Sequence, residues 1–497
     1  MFFISFLFYN KYLSDCYKYI ISMFNEGFPF WSLISAIYFA IVMVLMVNVM
    51  LKNRDSVKTL AWMMVFIFLP FVGGILYFFF GRDKRKERLI GKRLLAQIKQ
   101  REQLIGNNNH AGELNDEYLP LQNYFYNTSS AALLPVDNIE VISDTKIFIT
   151  HLLDELDKAK EHIHIQFYIF EDDTIGNLLR DKLIEKAKEG VEVRLIYDSV
   201  GCWKVNKSFY ESMRCAGIYV ESFLKVRFPV FSNKVNYRNH RKVIVIDGIT
   251  GFVGGCNSAD RYVQGVKWGI WRDTMLMIRG KAVQGLQSSF LIDWYFSNHS
   301  LVSGKRYFPL VNSGGSAVLQ VVQSNPVGDV RSVMGGLVKL LSMSRNYIFL
   351  QTPYFMPNES FLLALKSAAM SGVDVRLMVP EKSDSRISQY ASNSYFGDLL
   401  KSGVKIYLYS AGFLHSKAIV CDDNVSSVGS VNLDFRSFYH NFEISAFVYD
   451  KTVAHQLKEN FLNDIKTSHQ LTESEYRKRP LKQKCLESLA RLFSPLL

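Results

Sequence analysis

Two histidine–lysine pairs stand 175 residues apart in this chain of 497, each in the same setting. The first lies in NHRKVIVIDGITGFVGGCN. There His240, Lys242 and Asp247 form the pattern H-x-K-x4-D, and Gly254-Gly255-x-Asn257 follows. The second lies in HSKAIVCDDNVSSVGSVN. There His415, Lys417 and Asp422 repeat the offsets, and Gly429-Ser430-x-Asn432 follows at the same distance. One such match is only a hypothesis, but two with identical internal offsets are a duplicated chemical element. Residues two apart on a strand share a face, so each motif sets an imidazole beside a cation. That pairing suits attack on a phosphodiester. The lysine offsets charge on the non-bridging oxygens while the histidine attacks phosphorus or moves a proton. In-line displacement needs a nucleophile on one side and an acid on the other, and two copies facing across a pseudo-twofold axis supply both.

Other residues complete the candidate site. Asn257 and Asn432 can donate hydrogen bonds to phosphate oxygens. A nucleophilic histidine needs its second ring nitrogen held by a carboxylate or carbonyl. Asp273 (in WRDT) and Glu443 (in NFEI) follow their histidines by 33 and 28 residues on strand-like runs and are the candidates. Asp247 and Asp422 end apolar strands just before turns, so a structural role is expected of them within the motif. All six motif residues are expected to line one site at the interface of the repeats. The competing chemistry is a metal site at His162 and His164, two apart on a strand. No Cys, Asp or Glu joins them at ligand spacing, so no metal and no cofactor is expected.

The elements that must position these groups are also duplicated. From about Pro135 short apolar strands alternate with helical patterns, the mark of an α/β domain. HIHIQFYIF carries Gln166-x-x-x-Phe170 and YIFLQTPYF carries Gln351-x-x-x-Phe355. GVEVRL and GVDVRL begin at Gly190 and Gly372, and turns at Gly217 and Gly403 lead to the two motifs. The first copy carries 11 more residues before its motif, rich in basic and aromatic side chains (Lys225, Arg227, Phe228, Phe231, Lys234, Tyr237, Arg238), suited either to a lipid-facing or to a solvated loop.

A net charge of +12 points to an anionic partner, a membrane surface or nucleic acid. Six cysteines without framework spacing read as free thiols in a reducing compartment. Residues 1–30 open with a short apolar piece suited to a membrane interface. Residues 31–51 and 59–80 are uncharged and long enough to cross a hydrocarbon core of about 30 Å, which predicts a two-helix transmembrane hairpin over 31–81. Lysines and arginines number three between the spans, against seven just after the second and two before the first. That balance favours a cytoplasmic catalytic domain in a multi-pass membrane protein. Residues 82–135 read as a basic stalk and linker, and 471–497 as an amphipathic helix docked on the domain.

On these motifs the chain resembles the phospholipase D superfamily, and more narrowly the bacterial cardiolipin synthases. The narrower likeness rests on KTLAWMMVFIFLPFVGGILYFFFGR, NHRKVIVIDG, GFVGGCNSADRY, WRDT, LHSKAIVCDD, GSVNLDFRSFYHNFE and the tail ARLFSPLL. The resemblance implies an α/β fold of two pseudo-twofold-related repeats, 136–310 and 311–470, each a β-sheet flanked by helices. It implies metal-free phosphatidyl transfer from one phosphatidylglycerol to another, giving cardiolipin and glycerol through a phosphatidyl-histidine, and by analogy, with the longer loop making the halves inequivalent, His240 as nucleophile and His415 as general acid. It also implies partners limited to phosphatidylglycerol and anionic membrane lipid, with no nucleic acid. The alternatives are a hydrolytic phospholipase D, a phosphodiesterase or nuclease, and a non-catalytic anion-binding module. The hairpin argues against a nuclease, and two complete motifs argue against a binding module.

Overall fold

The computed structural model describes residues 18, 29–52, 56–77, 116–225, 237–311, 314–326 and 330–495. The chain divides into two compact units, 1–85 and 86–497. In the first, Pro29–Lys52 is one helix. Its Leu33–Leu51 stretch is long and apolar enough to span a bilayer, at roughly 28 Å for 19 residues. The expected second span holds helices Ser56–Phe68 and Pro70–Leu76, while 78–80 lie outside the described residues. The break falls at Pro70, whose ring carries no N–H and opens a new helix. Val42 and Val49 of the first helix share a buried cluster with Phe66 and Tyr77.

The second unit holds two sheets with one plan. A seven-stranded sheet runs Asn138–Ile142, Met275–Arg279, Thr250–Gly254, Val243–Ile246, His162–Phe167, Glu192–Asp198, Tyr219–Phe223 from edge to edge. A nine-stranded sheet runs Leu133–Val136, Ala317–Ser324, Glu443–Tyr449, Val425–Gly429, Ala418–Cys421, Tyr347–Gln351, Asp374–Pro380, Lys405–Tyr409, Ser468–Leu471. Without its two outer strands the second sheet matches the first in order and in every strand direction. The strands alternate with helices, giving a mixed α/β fold. Central strands such as VIVI at 243–246 and AIVC at 418–421 are buried throughout, because each sheet is covered on both faces. The covering between repeats is apolar: Val243, Val245 and Val253 share one core with Val428, Ile444 and Ala446.

The sequence before the first sheet is not all linker. Leu119–Ser129 is a helix whose Leu121 and Phe125, four apart, enter the core of the second repeat, with Phe125 4.3 Å from the Phe447 ring. Leu133–Val136 then becomes that repeat's edge strand. The expected basic–aromatic loop falls mostly outside the described residues, which resume at 237. The five described cysteines are free thiols.

Asp247 and Asp422 each follow a central strand at positive φ, 53° and 49°. Asp247 accepts the backbone N–H groups of Lys160, Glu161 and His162 at 2.8–2.9 Å. Asp422 accepts those of Arg345, Asn346 and Tyr347 at 2.7–2.8 Å. Each carboxylate therefore satisfies three donors that begin the first parallel strand of its own repeat. Asp247→Ala or Asp422→Ala should cost about 1–3 kcal/mol of stability by leaving these donors unpaired. The midpoint of thermal unfolding in detergent should fall by several degrees, with kcat per folded molecule unchanged. A variant of undiminished stability but abolished turnover would return these acids to the chemistry.

Candidate active site

The parallel strands of each sheet end where the motif strand begins: Gln166 stands opposite Val243 and Gln351 opposite Ala418. Both motif histidines thus sit just beyond the carboxyl ends of parallel strands, the usual place for ligands in α/β sheets. Backbone pairing between the repeats joins the two ends. Gly412–Leu414 pairs with Ile270–Arg272, and His415 donates its N–H to the Arg272 carbonyl at 2.7 Å. On the other side His240 donates its N–H to the Phe442 carbonyl at 2.9 Å.

These pairings exchange the acids. His240 Nδ1 lies 3.0 Å from Glu443 Oε2, and His415 Nδ1 lies 2.6 Å from Asp273 Oδ2. Each histidine is therefore held by a carboxylate from the other repeat, not by the acid that follows it in its own. With Nδ1–H donated to a carboxylate, Nε2 carries the lone pair. The lysines sit beside their histidines. Lys242 Nζ donates to the His240 carbonyl at 2.6 Å, and Lys417 Nζ lies 2.9 Å from His415 Nδ1. The ring of Tyr168 packs edge-on against His240 and lies under Lys242. Tyr262 and Trp271 wall in His415.

Four of the six motif residues thus converge. Asp247 and Asp422 do not join them. Each stands five residues beyond its lysine, roughly 16 Å of extended chain, with its oxygens engaged as strand caps. The two asparagines differ. Asn257 is bonded at both ends, accepting from the Ile169 N–H at 3.1 Å and donating to Tyr262 Oη at 2.5 Å. Asn432 keeps its buried side-chain oxygen without a partner.

A layer behind these groups is absent from motif reasoning. Buried Asp293 accepts from Arg241 at 2.8 Å and from Gln166 at 2.6 Å, and Arg241 Nε reaches the Glu443 carbonyl at 3.1 Å. In the other half Asp464 pairs with Arg272 at 3.0 Å and accepts from Gln351 at 2.8 Å, while Arg272 donates to the Asp273 carbonyl at 2.6 Å. In both halves an arginine anchored on an aspartate, buried Asp293 or half-buried Asp464, grips the backbone of the acid that orients the histidine. The signal was in the repeat, since Gln166 and Gln351 mark equivalent strands. Ser430 adds a hydrogen bond to Glu443.

Burial sets the charges. It pushes the Lys242 ammonium down to about 7, with Glu443 opposing and Lys417 adding to the shift. It pushes Lys417 down to about 8 against the pull of Asp273. Burial likewise lowers His240, and with Lys417 it drives His415 to about 3, so both imidazoles are neutral near pH 7. Burial alone would raise the two carboxyls, but His415 and Lys417 hold Asp273 below its usual range, and His240 and Lys242 do the same for Glu443. The arrangement brings together two neutral histidines, two buried lysines and two carboxylates held against the histidines. Among the described residues no group of three or more His, Cys, Asp or Glu is placed to hold a metal ion.

The family model described as cardiolipin synthase, PLD-like domain matches residues 152–294 and 337–465, which contain both motifs and both acids. A second, described as phospholipase D-nuclease N-terminal, matches 34–82. The major cardiolipin synthase of Bacillus subtilis (strain 168) is 39% identical over 482 residues, covering 94% of this chain and 99% of that protein. The chain belongs to the cardiolipin synthase family. The cardiolipin synthase of Listeria innocua serovar 6a is also 39% identical, over 91% of this chain and 96% of its own length. In fold, the crystal structure of a phosphatidylserine synthase from Haemophilus influenzae Rd KW20 matches with TM-score 0.59 at 14% identity, covering 77% of this chain and all of that one.

The depressed lysines make a pH prediction. A lysine whose folded pKa lies below its usual value loses its charge as pH rises through that folded value. The positive charge facing the phosphodiester should therefore fade above about pH 7–8 in the empty enzyme, and kcat/KM should fall there while substrate binding, by adding an anion, extends kcat to higher pH. Lys242→Met and Lys417→Met should each lower kcat by about 10²–10³. A kcat/KM profile flat to pH 9.5 would contradict this.

Proposed function

We propose that this chain is a membrane-bound phosphatidyltransferase that makes cardiolipin from two molecules of phosphatidylglycerol. The observation that carries the reading is the pair of crossed histidine–carboxylate couples meeting beside two buried lysines in a member of the cardiolipin synthase family. His240 Nε2 attacks the phosphorus of the first phosphatidylglycerol. The bond from phosphorus to the glycerol headgroup oxygen breaks, and a proton delivered from His415 Nε2 releases glycerol. The phosphodiester anion raises His415 toward protonation when it binds, opposing the neighbouring lysines. In the second half His415 takes the proton from a headgroup hydroxyl of a second phosphatidylglycerol. That oxygen attacks phosphorus, the P–N bond breaks, and cardiolipin leaves with His240 restored. Lys242 and Lys417 stabilise the charge on the non-bridging oxygens in both steps. Asn257 Nδ2 is engaged with Tyr262 Oη, so Asn432 Nδ2 is assigned the hydrogen bond to a phosphate oxygen.

His240 is assigned the attack because its side chain keeps 12% exposure and its couple is backed by Ser430, while His415 is the more buried partner. Both apolar stretches of the amino-terminal unit are read as membrane-crossing, with the helices Ser56–Phe68 and Pro70–Leu76 lying in the second span. The lysine and arginine balance then sets the catalytic unit on the cytoplasmic side.

Two measurements test this. Purified protein given phosphatidylglycerol alone should yield cardiolipin and glycerol in equal amounts, with activity surviving chelators. Phosphatidic acid as the main product would make it a hydrolase. In intact cells a cysteine at Ser56 should react with an impermeant maleimide while one at Asn108 stays protected, and the reverse pattern would put the site outside.

A further inference from the structure

The helix Leu481–Leu492 is docked the wrong way round for a soluble domain. It packs on Arg386–Lys401 through Glu487 and Ala490, which are buried, with Glu487 paired to Arg479 at 2.9 Å and Arg491 over the Tyr395 ring. Its leucines point outward: Leu481 is 77% exposed, Leu489 55% and Leu492 75%. Positions 481, 485, 489 and 492 recur every three or four residues, so they form one stripe on the side opposite the buried contacts. Cys485 lies on the same stripe and is exposed. Lys482 and Lys484 border the stripe near its start, and the short segment Arg477–Lys484 holds five cations and no acid.

We propose that this helix is an interfacial helix whose leucine stripe lies in the headgroup region of an anionic bilayer. Three features favour a bilayer as the occupant. The stripe carries apolar side chains flanked by cations, complementary to an anionic surface. Its footprint, roughly 18 Å by 10 Å, is far below the ~800 Å² per partner that a stable protein dimer uses. A buried acid on the docked side and leucine on the free side is the reverse of what burial against protein selects. The inference shares with the proposed reaction only the bilayer as workplace, and its test needs no turnover.

The full chain carrying Cys16→Ser and Cys215→Ser leaves Cys485 as the exposed thiol among the described residues. It is labelled with the environment-sensitive fluorophore NBD and reconstituted into phosphatidylglycerol-containing vesicles. The control keeps Cys215, the last residue of the helix Lys207–Cys215 that leads into strand Tyr219–Phe223 at the sheet end away from His240, with Cys16→Ser and Cys485→Ser. Brominated acyl chains should quench the 485 probe by at least about half, as expected for burial ~5–10 Å into the headgroup–acyl boundary, and leave the 215 probe unchanged. Leu489→Glu/Leu492→Glu, which alters only exposed side chains, should abolish that quenching. An unquenched 485 probe overturns the proposal. A probe already blue-shifted in detergent overturns it in favour of cover by the chain's own amino-terminal segment. Disulfide-linked dimers through Cys485 overturn it in favour of a second copy. Loss of cardiolipin formation with quenching intact would count against the proposed reaction and not against the helix.

Discussion

The structure depends on an exchange of carboxylates between two repeats. His240 is held by Glu443 and His415 by Asp273, contacts that span 203 and 142 residues of chain. Neither repeat holds a complete histidine couple by itself. The face-to-face apolar packing of the sheets, the pairing of 412–414 with 270–272 and the bond from His240 to Phe442 all hold the two halves in the register that the exchange requires. Duplication alone would give two half-sites, and the crossing joins them into one centre with a carboxylate-held histidine from each repeat.

Such a centre is costly to bury. Two lysines and two acids leave water together, and a buried charge is tolerated only when paired and hydrogen-bonded. The supporting layer answers this in duplicate. Asp293 with Arg241 and Asp464 with Arg272 anchor the backbones that carry Glu443 and Asp273. Without substrate the lysines are held below their ordinary range, so they gain full charge when an anion enters. The site is thus set to respond to a phosphodiester, with dipoles and cations fixed before the reaction begins.

Much of this was legible in the sequence because the chemistry is written in local spacing. H-x-K-x4-D and its echo name the histidines and lysines, and the repeated Gln-x-x-x-Phe and Gly-Val-x-Val-Arg-Leu segments name the strands that position them. The crossing was not legible, since Asp273 lies 33 residues after His240 and Glu443 28 after His415, and sequence order suggests the wrong partners. A structural role is expected of Asp247 and Asp422 from their place before turns, and their positive φ and three backbone donors make them strand caps, away from the site that the other motif residues share. Tertiary packing also recruits residues 116–136 into the second repeat, where polar surroundings read as linker. In the last helix, periodicity identifies the apolar stripe but not the side from which it docks.

Glu443 holds His240 and Asp273 holds His415. A phosphatidyl ester of p-nitrophenol separates the two couples, because its leaving group needs no proton from an acid. In a single turnover the burst of p-nitrophenol reports attack by the nucleophile alone. Asp273→Asn, slow with phosphatidylglycerol, should recover a near-normal burst with this ester, while Glu443→Gln should stay slow with both. Recovery in Glu443→Gln with none in Asp273→Asn would contradict this pairing.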